Sequence, residues 1–521
     1  MKFVITSGPY FSELAAIAKK SIPSIVLIIL FSSGCNPEKD QPKDSTRPVN
    51  ILFLTADDLN YNSVGSFGCS IEDITPNIDK LAKKGIKFTN AHVSSAVCQP
   101  CRQSLLTGLY PHNNGAEGFE PIDEDVTTLP ELLKKAGYLN GLLGKEIHHQ
   151  PTEKFFWDFI PFITEKDSTW RKGHSRTPSL FYEYSKQFFD LAKQDNKPFF
   201  FQANSHDPHR PFTGSANDSA GWGGNPPPVI DKYDSEDIEV LGYLPDIPDV
   251  RKEVTQYYNT VARCDQNIGG VLKALEESGL SKNTMIIFMS DHGASFPFAK
   301  SQCYLNSTKT PLIVHWPEMR GTEPGFSDQL ISGTDIMPTI LQLMDLTVPE
   351  NLDGRSFAPL LFDQPYDERS CIFTTYYQIF AKIRYPMRCI QNKEFGYIYN
   401  FWSDGQTEMS GDATGGLTWN AMNRAARTDP DIAKRVDLYR YRVREEFYDF
   451  KNDPDGLKNL IDDPAYATQI DHFRDLMLKE MLKHKDPAYE TYRDRNQKGT
   501  IENFMEMQRI KARETKKNVM F

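Results

Sequence analysis

The feature that most limits the fold of this chain is a set of short, continuous apolar runs separated by helical sequence. Residues 49–56, 138–143, 198–203 and 285–290 are runs of this kind. An unbroken apolar run, unlike an alternating one, predicts a strand buried on both faces, as in a parallel sheet covered by helices. The intervening sequence supplies those helices. Thr75-Pro76 opens one that Gly85 closes, with a capping hydroxyl and a proline in the first turn. Residues 129–136 and 254–278 read as two more. Strands and helices in alternation predict a mostly parallel α/β sheet with helices on both faces.

Each of the four runs ends in polar residues. The first leads into Asp57-Asp58, and the second into Gly144-Lys145 with His148-His149 just beyond. The third leads into Ser205-His206-Asp207-Pro208-His209, and the fourth into Asp291-His292-Gly293. Open parallel sheets bind ligands beyond the carboxyl ends of their strands. These segments are therefore predicted to converge on one crevice of carboxylates, imidazoles and a lysine. Singly, an Asp-Asp pair reads as a cap or a solvated turn, and a lone histidine as a structural residue. Their shared position at strand ends is what favours the functional reading. The net charge of −11 over 521 residues excludes general nucleic-acid binding. An anionic substrate would need cations gathered in one pocket.

The first 35 residues differ from the rest. Lys2, Lys19 and Lys20 precede an apolar run over 22–31, and Ser32-Ser33-Gly34-Cys35 follows. This has the form of a secretory signal whose apolar core is too short for an ordinary membrane span. Small residues ending in cysteine resemble a bacterial lipoprotein cleavage site, with Ser32 where the usual pattern has Leu. Cys35 is then expected to be lipidated, residues 36–48 to be a polar tether, and the protein to be exported to the periplasm, outer membrane or cell surface. Membrane contact would run only through that lipid; a plain signal peptide or an uncleaved anchor is the alternative. Eight cysteines are too few for a disulfide scaffold.

The most informative segment is Cys98-Gln99-Pro100-Cys101-Arg102, followed by Gln103-Ser104-Leu105-Leu106-Thr107-Gly108. A bare C-x-x-C suits a redox pair or half a zinc site. No second C-x-x-C exists to complete a zinc site, which leaves the redox reading open. Pro100 fits the first turn of a helix, which would place Cys98 at a helix N-terminus, a field suited to anions.

Residues 98–108 resemble the signature of the type I sulfatases, C-x-P-x-R followed by L-x-T-G. In that family the cysteine is oxidised to formylglycine by a dedicated maturation enzyme. The resemblance implies that Cys98 is so modified and that Arg102 supports it. Position 101 is commonly Ser in the family; a Cys98–Cys101 disulfide would block maturation. The resemblance also implies an alkaline-phosphatase-like fold: a mostly parallel sheet flanked by helices, with a smaller C-terminal antiparallel-sheet subdomain. The expected division is a catalytic domain over 49–362, that subdomain over 363–484, and a charged tail over 485–521 to which the sequence assigns no role.

Asp57, Asp58, Asp291 and His292 match the family's calcium ligands, with modified Cys98 facing the ion. Carboxylate oxygens suit Ca²⁺; His292 alternatively donates to a sulfate oxygen. Lys145 matches the family's Gly-Lys motif. His148 follows three residues on, a spacing shared with iduronate sulfatases. His206 matches the histidine after the central strand. Lys300 is favoured as the remaining cation, with Lys309 its rival. The implied mechanism is covalent catalysis with a metal as Lewis acid. In it Asp291 or a neighbouring ligand is the base, His206 the acid for the leaving group, and His148 helps position the nucleophile. Lys145, Lys300, Arg102 and the ion neutralise the sulfate oxygens.

Several segments resemble the branch that removes sulfate from the amino group of glucosamine in heparan. They include Pro111-His112-Asn113-Asn114-Gly115, His206-Asp207-Pro208-His209-Arg210, Phe296-Pro297 with Lys300 and Tyr304, and Tyr385-Pro386-Met387-Arg388. His209, Lys309 and Arg388 are candidate substrate contacts, Arg388 toward a neighbouring uronate; a structural arginine is the alternative. The Gly/Pro/Ser/Asp-rich segments 221–248 and 402–416 are expected to rim the pocket. O-sulfatases of uronic acids or hexosamines remain alternatives. A phosphodiesterase of the same superfamily would present Ser or Thr where Cys98 stands, and a glycan-binding lipoprotein would need none of this constellation.

Overall fold

A computed structural model describes residues 49–161, 174–218, 227–317 and 324–518. The expected signal, Cys35 and the tether lie outside the described residues, as does part of the 221–248 segment.

The four apolar runs form β1 (Asn50–Asp57), β3 (Leu139–Leu143), β4 (Phe199–Pro208) and β5 (Thr284–Ser290). β1 lies between β4 and β5 and is parallel to both, with β3 parallel on the far side of β4. All residues of β1, β3 and β5 are buried, as unbroken apolar runs require. Three strands were not expected. β2 (Ile86–His92), β6 (Lys309–His315) and β7 (Gly325–Ser332) extend the sheet to seven strands in the order β3-β4-β1-β5-β6-β2-β7. β6 runs antiparallel to β5 and β2, so the sheet is mixed.

The helices are α1 (Pro76–Ala82), α2 (Cys98–Thr107), α3 (Leu129–Lys135), α4 (Pro178–Asp195), α5 (Pro248–Ser278) and α6 (Ile336–Leu343). Alternate residues of β1 serve the two faces. Leu52 and Leu54 pack with Phe188 of α4 and Val261 and Ile268 of α5. Ile51 and Phe53 pack with Leu105 of α2, Leu133 of α3 and Ile340 of α6. Truncating one of these side chains, as in Phe53→Ala, would cost about 3–5 kcal/mol through the cavity it leaves.

The second sheet is antiparallel, in the order β11-β10-β9-β8. Its strands are β8 (Ile372–Gln378), β9 (Arg384–Gln391), β10 (Phe395–Asn400) and β11 (Glu445–Asp449). Between β10 and β11, α7 (Leu417–Ala425) and α8 (Pro430–Tyr441) return to the large sheet, where Met422 and Tyr439 join the core of α5. The two sheets therefore belong to one compact unit, Pro48–Phe521. After α9 (Ala467–Lys483) the charged tail is helical: α10 (Tyr489–Arg493) and α11 (Thr500–Asn518). Its Tyr492, Ile501 and Phe504 are buried against Tyr397, Phe401 and Met477, so the small-sheet core extends past residue 484.

Candidate active site

The parallel register of β1 and β5 sets Ala56 beside Ser290. The next residue on each strand is therefore Asp57 and Asp291, side by side at the carboxyl edge. The Asp58 backbone N–H donates to Asp291 Oδ1 at 3.2 Å. Asp58 and Lys145 both take left-handed backbone conformations, φ 66° and 60°, which turn their chains sharply off the strand ends. Such conformations cost about 1–3 kcal/mol each and gather at functional sites. The residue before Lys145 must be glycine: Gly144 has φ 78°, and a Cβ there would lie 2.3 Å from the Asn204 carbonyl oxygen.

α2 delivers Cys98 as its first residue, 3% exposed, at this edge. Ligand atoms of Asp57, Cys98, Asp291 and His292 all lie within 4.8 Å of one another, and a second such group joins Asp57, Asp58, Cys98 and His209. Asp57 Oδ1 is buried and accepts no hydrogen bond, with Arg102 NH2 3.6 Å away; the other oxygens of the cluster are met by charged side chains. Buried aspartate oxygens gathered this closely are the ligands a hard divalent cation prefers, so the residues fit a metal such as Ca²⁺. His292 fits as well. Its Nδ1 lies 3.0 Å from the Gly293 carbonyl oxygen and so carries the proton, leaving the Nε2 lone pair 3.4 Å from Cys98 Sγ.

Cations surround these carboxylates. Lys145 pairs with Asp57, and Lys300 Nζ lies 2.9 and 3.0 Å from the two Asp58 oxygens. Arg102, fully buried, donates from NH1 to Thr55 Oγ1 and Asn204 Oδ1, each at 2.8 Å, and its NH2 lies 2.8 Å from Asp291. Arg102 is thus held by protein groups, as Lys145 is by Asp57 and Lys300 by Asp58. His206 and His209 place Nε2 4.0 Å from Asp57 and Asp58 respectively, and His148 is buried beside them.

Burial alone would raise the Asp57 carboxyl, but Lys145 foremost, then His209, Arg102 and His206, holds it well below the ordinary range. Burial lifts neighbouring Asp291 to about 6. Burial, with Lys145 next, lowers both His148 and His206 well below 6.5, so both are neutral near pH 7. Burial and Lys300 lower His209 to about 4. Burial also pushes the Cys98 and Cys101 thiols well up, and both are free. Two buried, protonated thiols do not suit a redox pair.

Two expected substrate contacts lie elsewhere. The fully buried Arg388 guanidinium pairs with Asp486 at 2.9 Å and stacks 4.4 Å over Tyr377. It is a structural strut of the small sheet and is closed to a uronate. Lys309 Nζ sits 4.6 Å over the Tyr61 ring, whereas Lys300 lies in the cluster. The structure adds residues that no motif signalled. Asn204 links Arg102 to the Gly144 carbonyl, and Asp412 lies 3.1 Å from Lys300. Asn204 had a faint signal in its place at the end of an apolar run; Asp412 had only its loop's composition.

A family model described as Sulfatase matches residues 49–346. The chain belongs to the sulfatase family. A second model, "N-sulphoglucosamine sulphohydrolase, C-terminal", matches residues 292–411 of this sulfatase. It is 32% identical over 469 residues to the N-sulphoglucosamine sulphohydrolase of Homo sapiens, covering 85% of this chain and 91% of that protein. It is 29% identical over 440 residues to an ulvan-active sulfatase of Formosa agariphila, covering 83% and 79%. A solved structure in complex with its substrate D-glucosamine-2-N,6-O-disulfate shares the fold, with TM-score 0.61, 20% identity and coverage of 85% and 99%. So does a 2-O glycosaminoglycan sulfatase, with TM-score 0.62, 21% identity and coverage of 85% and 94%. The sulfatase is thus a hydrolytic enzyme built on a mixed, mostly parallel sheet with a separate antiparallel one.

Proposed function

We propose that this sulfatase removes the sulfate group of N-sulfoglucosamine in heparan-type glycans, using formylglycine derived from Cys98 and a calcium ion held by Asp57, Asp58, Asp291 and His292. The observation that carries the reaction is the position of Cys98, the first residue of a buried helix, against the Asp57 and Asp291 carboxylates and in the fields of Lys300 and Lys145. The substrate rests on the match over residues 292–411 and the likeness to the human sulphohydrolase.

A divalent ion supplies Lewis-acid stabilisation of charge on the sulfate oxygens. Formylglycine derived from Cys98 would, when hydrated, supply the nucleophilic hydroxyl for sulfur and a second hydroxyl for release of sulfate. The other roles belong to the chain's own side chains. Lys145 and Lys300 draw the anion in and neutralise it. Arg102 fixes Asp291 through a 2.8 Å ion pair, and Asp291 takes the proton of the attacking hydroxyl. His148 orients that hydroxyl. His206 supplies a proton to the leaving nitrogen. Lys145 and Arg176 help keep it neutral in the free site, and a bound anion opposes both fields, raising its proton affinity when the proton is needed.

The test is sulfate release by the full chain from N-sulfoglucosamine, glucosamine 6-O-sulfate and iduronate 2-O-sulfate, beside mass spectrometry of the Cys98 peptide. N-sulfate release with formylglycine at position 98 is the expected result. Release from an O-sulfate alone would replace the substrate assignment, and turnover with an unmodified thiol would overturn the mechanism. The same reading places the protein outside the cytoplasm, anchored by lipid at Cys35, with a formylglycine-generating enzyme as maturation partner. Loss of membrane association in Cys35→Ser tests the anchor; unchanged fractionation would sink it.

A further inference from the structure

Asp412 lies in none of the segments that end the large sheet's strands. It is the first residue of a short turn, Asp412–Thr414, on the loop between β10 and α7. Its carboxylate lies 3.1 Å from Lys300 Nζ, the ammonium that Asp58 already holds at 2.9 and 3.0 Å. The two aspartates differ in exposure. The Asp58 side chain is 0% exposed, whereas 51% of the Asp412 side chain is open. The Lys300 field, with help from His209 and His292, holds the Asp412 carboxyl down to about 2, so it is ionised.

An open carboxylate here works against sulfate binding. It competes for Lys300 and repels the approaching anion. Neutralising Lys300 does not require it, because Asp58 contacts that ammonium with both oxygens. An ionised carboxylate only accepts hydrogen bonds, so its match is a group of donors elsewhere on the substrate. A sugar ring offers such donors beside the sulfated position. The same loop continues through Gly415 and Gly416, which with Arg210, Lys252 and Asn420 line a cavity of about 840 Å³, and Arg210 directly follows His209, whose Nε2 lies 4.0 Å from Asp58.

We propose that Asp412 is a specificity-determining residue: its carboxylate accepts hydrogen bonds from the hydroxyl or amino groups of the sugar that bears the sulfate. It thereby selects saccharide sulfates against sulfate esters that lack such donors. This rests on the sulfated-sugar reading above and holds for N- or O-linked sulfate alike.

The test uses the full, matured, metal-loaded protein and its Asp412→Asn and Asp412→Ala variants. The substrate is whichever sugar sulfate the parent turns over, so a parent inactive on all of them sinks the substrate reading by itself. In that event calorimetric binding of glucosamine to parent and variants decides the role of Asp412. In Asp412→Ala, kcat/KM for the sugar sulfate is expected to fall roughly tenfold or more, mainly through KM, as for a site built to pair substrate donors. Asp412→Asn keeps one acceptor oxygen and falls less. The inhibition constant of inorganic sulfate, which has no sugar, stays unchanged or tightens. Sulfate and sugar sulfate weakening in parallel would show that Asp412 only holds Lys300 in place, and would overturn the proposal. An unchanged kcat/KM, or unchanged glucosamine binding in the calorimetric arm, would overturn it too. Should the alanine variant unfold, the isosteric asparagine carries the same comparison.

Discussion

Arg102 and Arg388 are both fully buried and both paired with aspartate, one beneath the edge of the large sheet and the other within the small one. Around Arg388 every partner comes from the chain. Asp486 meets the guanidinium with both oxygens and accepts a further bond from the Ala488 N–H at 2.8 Å; the Met387 carbonyl takes another at 2.8 Å. Around Arg102 the pairing is incomplete: its Nε and NH2 make no hydrogen bond although NH2 lies 2.8 Å from Asp291, and Asp57 Oδ1, 3.6 Å from NH2, accepts none. Buried polar atoms are rarely abandoned in this way. A buried charge cluster that satisfies itself is a strut, and one that does not is waiting for a ligand. Burial and charge alone, which the two share, do not separate them.

The sharpest way to break this contrast is at Cys98. Cys98→Ala should lower turnover by more than about a thousandfold, as removal of a nucleophile does. Its thermal unfolding should stay close to that of the parent; surviving turnover would remove Cys98 from the chemistry. The next effect belongs to the strut. Arg388→Met leaves Asp486 buried and unpaired and should cost about 3–5 kcal/mol in denaturant unfolding, with kcat per folded molecule unchanged. The double variant Arg388→Met/Asp486→Leu should recover most of that loss. A fall in kcat would return Arg388 to the substrate site.

A smaller effect concerns pH. His149 is fully buried, and burial with the Arg102 field lowers it from 6.5 to about 3. Between those values the unfolded chain binds a proton that the native state refuses, so stability falls as pH drops from 6.5 toward 3. His149→Gln should flatten that fall by about 1.4 kcal/mol per pH unit, read from denaturation midpoints across this range. An unaltered slope would mean that His149 takes up its proton in the native state. Smallest of all, Lys186 and Asp190 pair at 2.8 Å on an exposed turn of α4. Lys186→Ala should change stability by less than about 0.5 kcal/mol.

What could be read beforehand follows the same physics. β1, β3, β4 and β5 were legible because strands buried on both faces leave unbroken apolar runs, and their ends led to Asp57, Lys145, His206 and Asp291. β2 and β7 were not, because Lys87, Thr89, Asp328 and Gln329 interrupt the apolar signal of strands near a solvated edge. β6 is apolar but opens at Lys309 and runs against its neighbours, which no crossover pattern announces. The tail's helices bury only a few side chains, such as Tyr492 and Phe504, too sparse a stripe to stand out among charges. Arg388 looked like a substrate contact because its partner, Asp486, lies 98 residues away. Asp412 reaches Lys300 across 112 positions from a loop without periodic signal.

Cys98 has one more consequence. With 3% of its surface exposed at the root of a helix whose ten residues are all buried, it is out of reach of a second protein once the chain has folded. The proposed oxidation therefore has a deadline. It belongs to the interval in which the polypeptide is still threadlike, and a molecule that collapses first is shut out for good. Two populations with the same shape would then arise, one competent and one inert, and the yield of working catalyst would be set by a race between modification and folding.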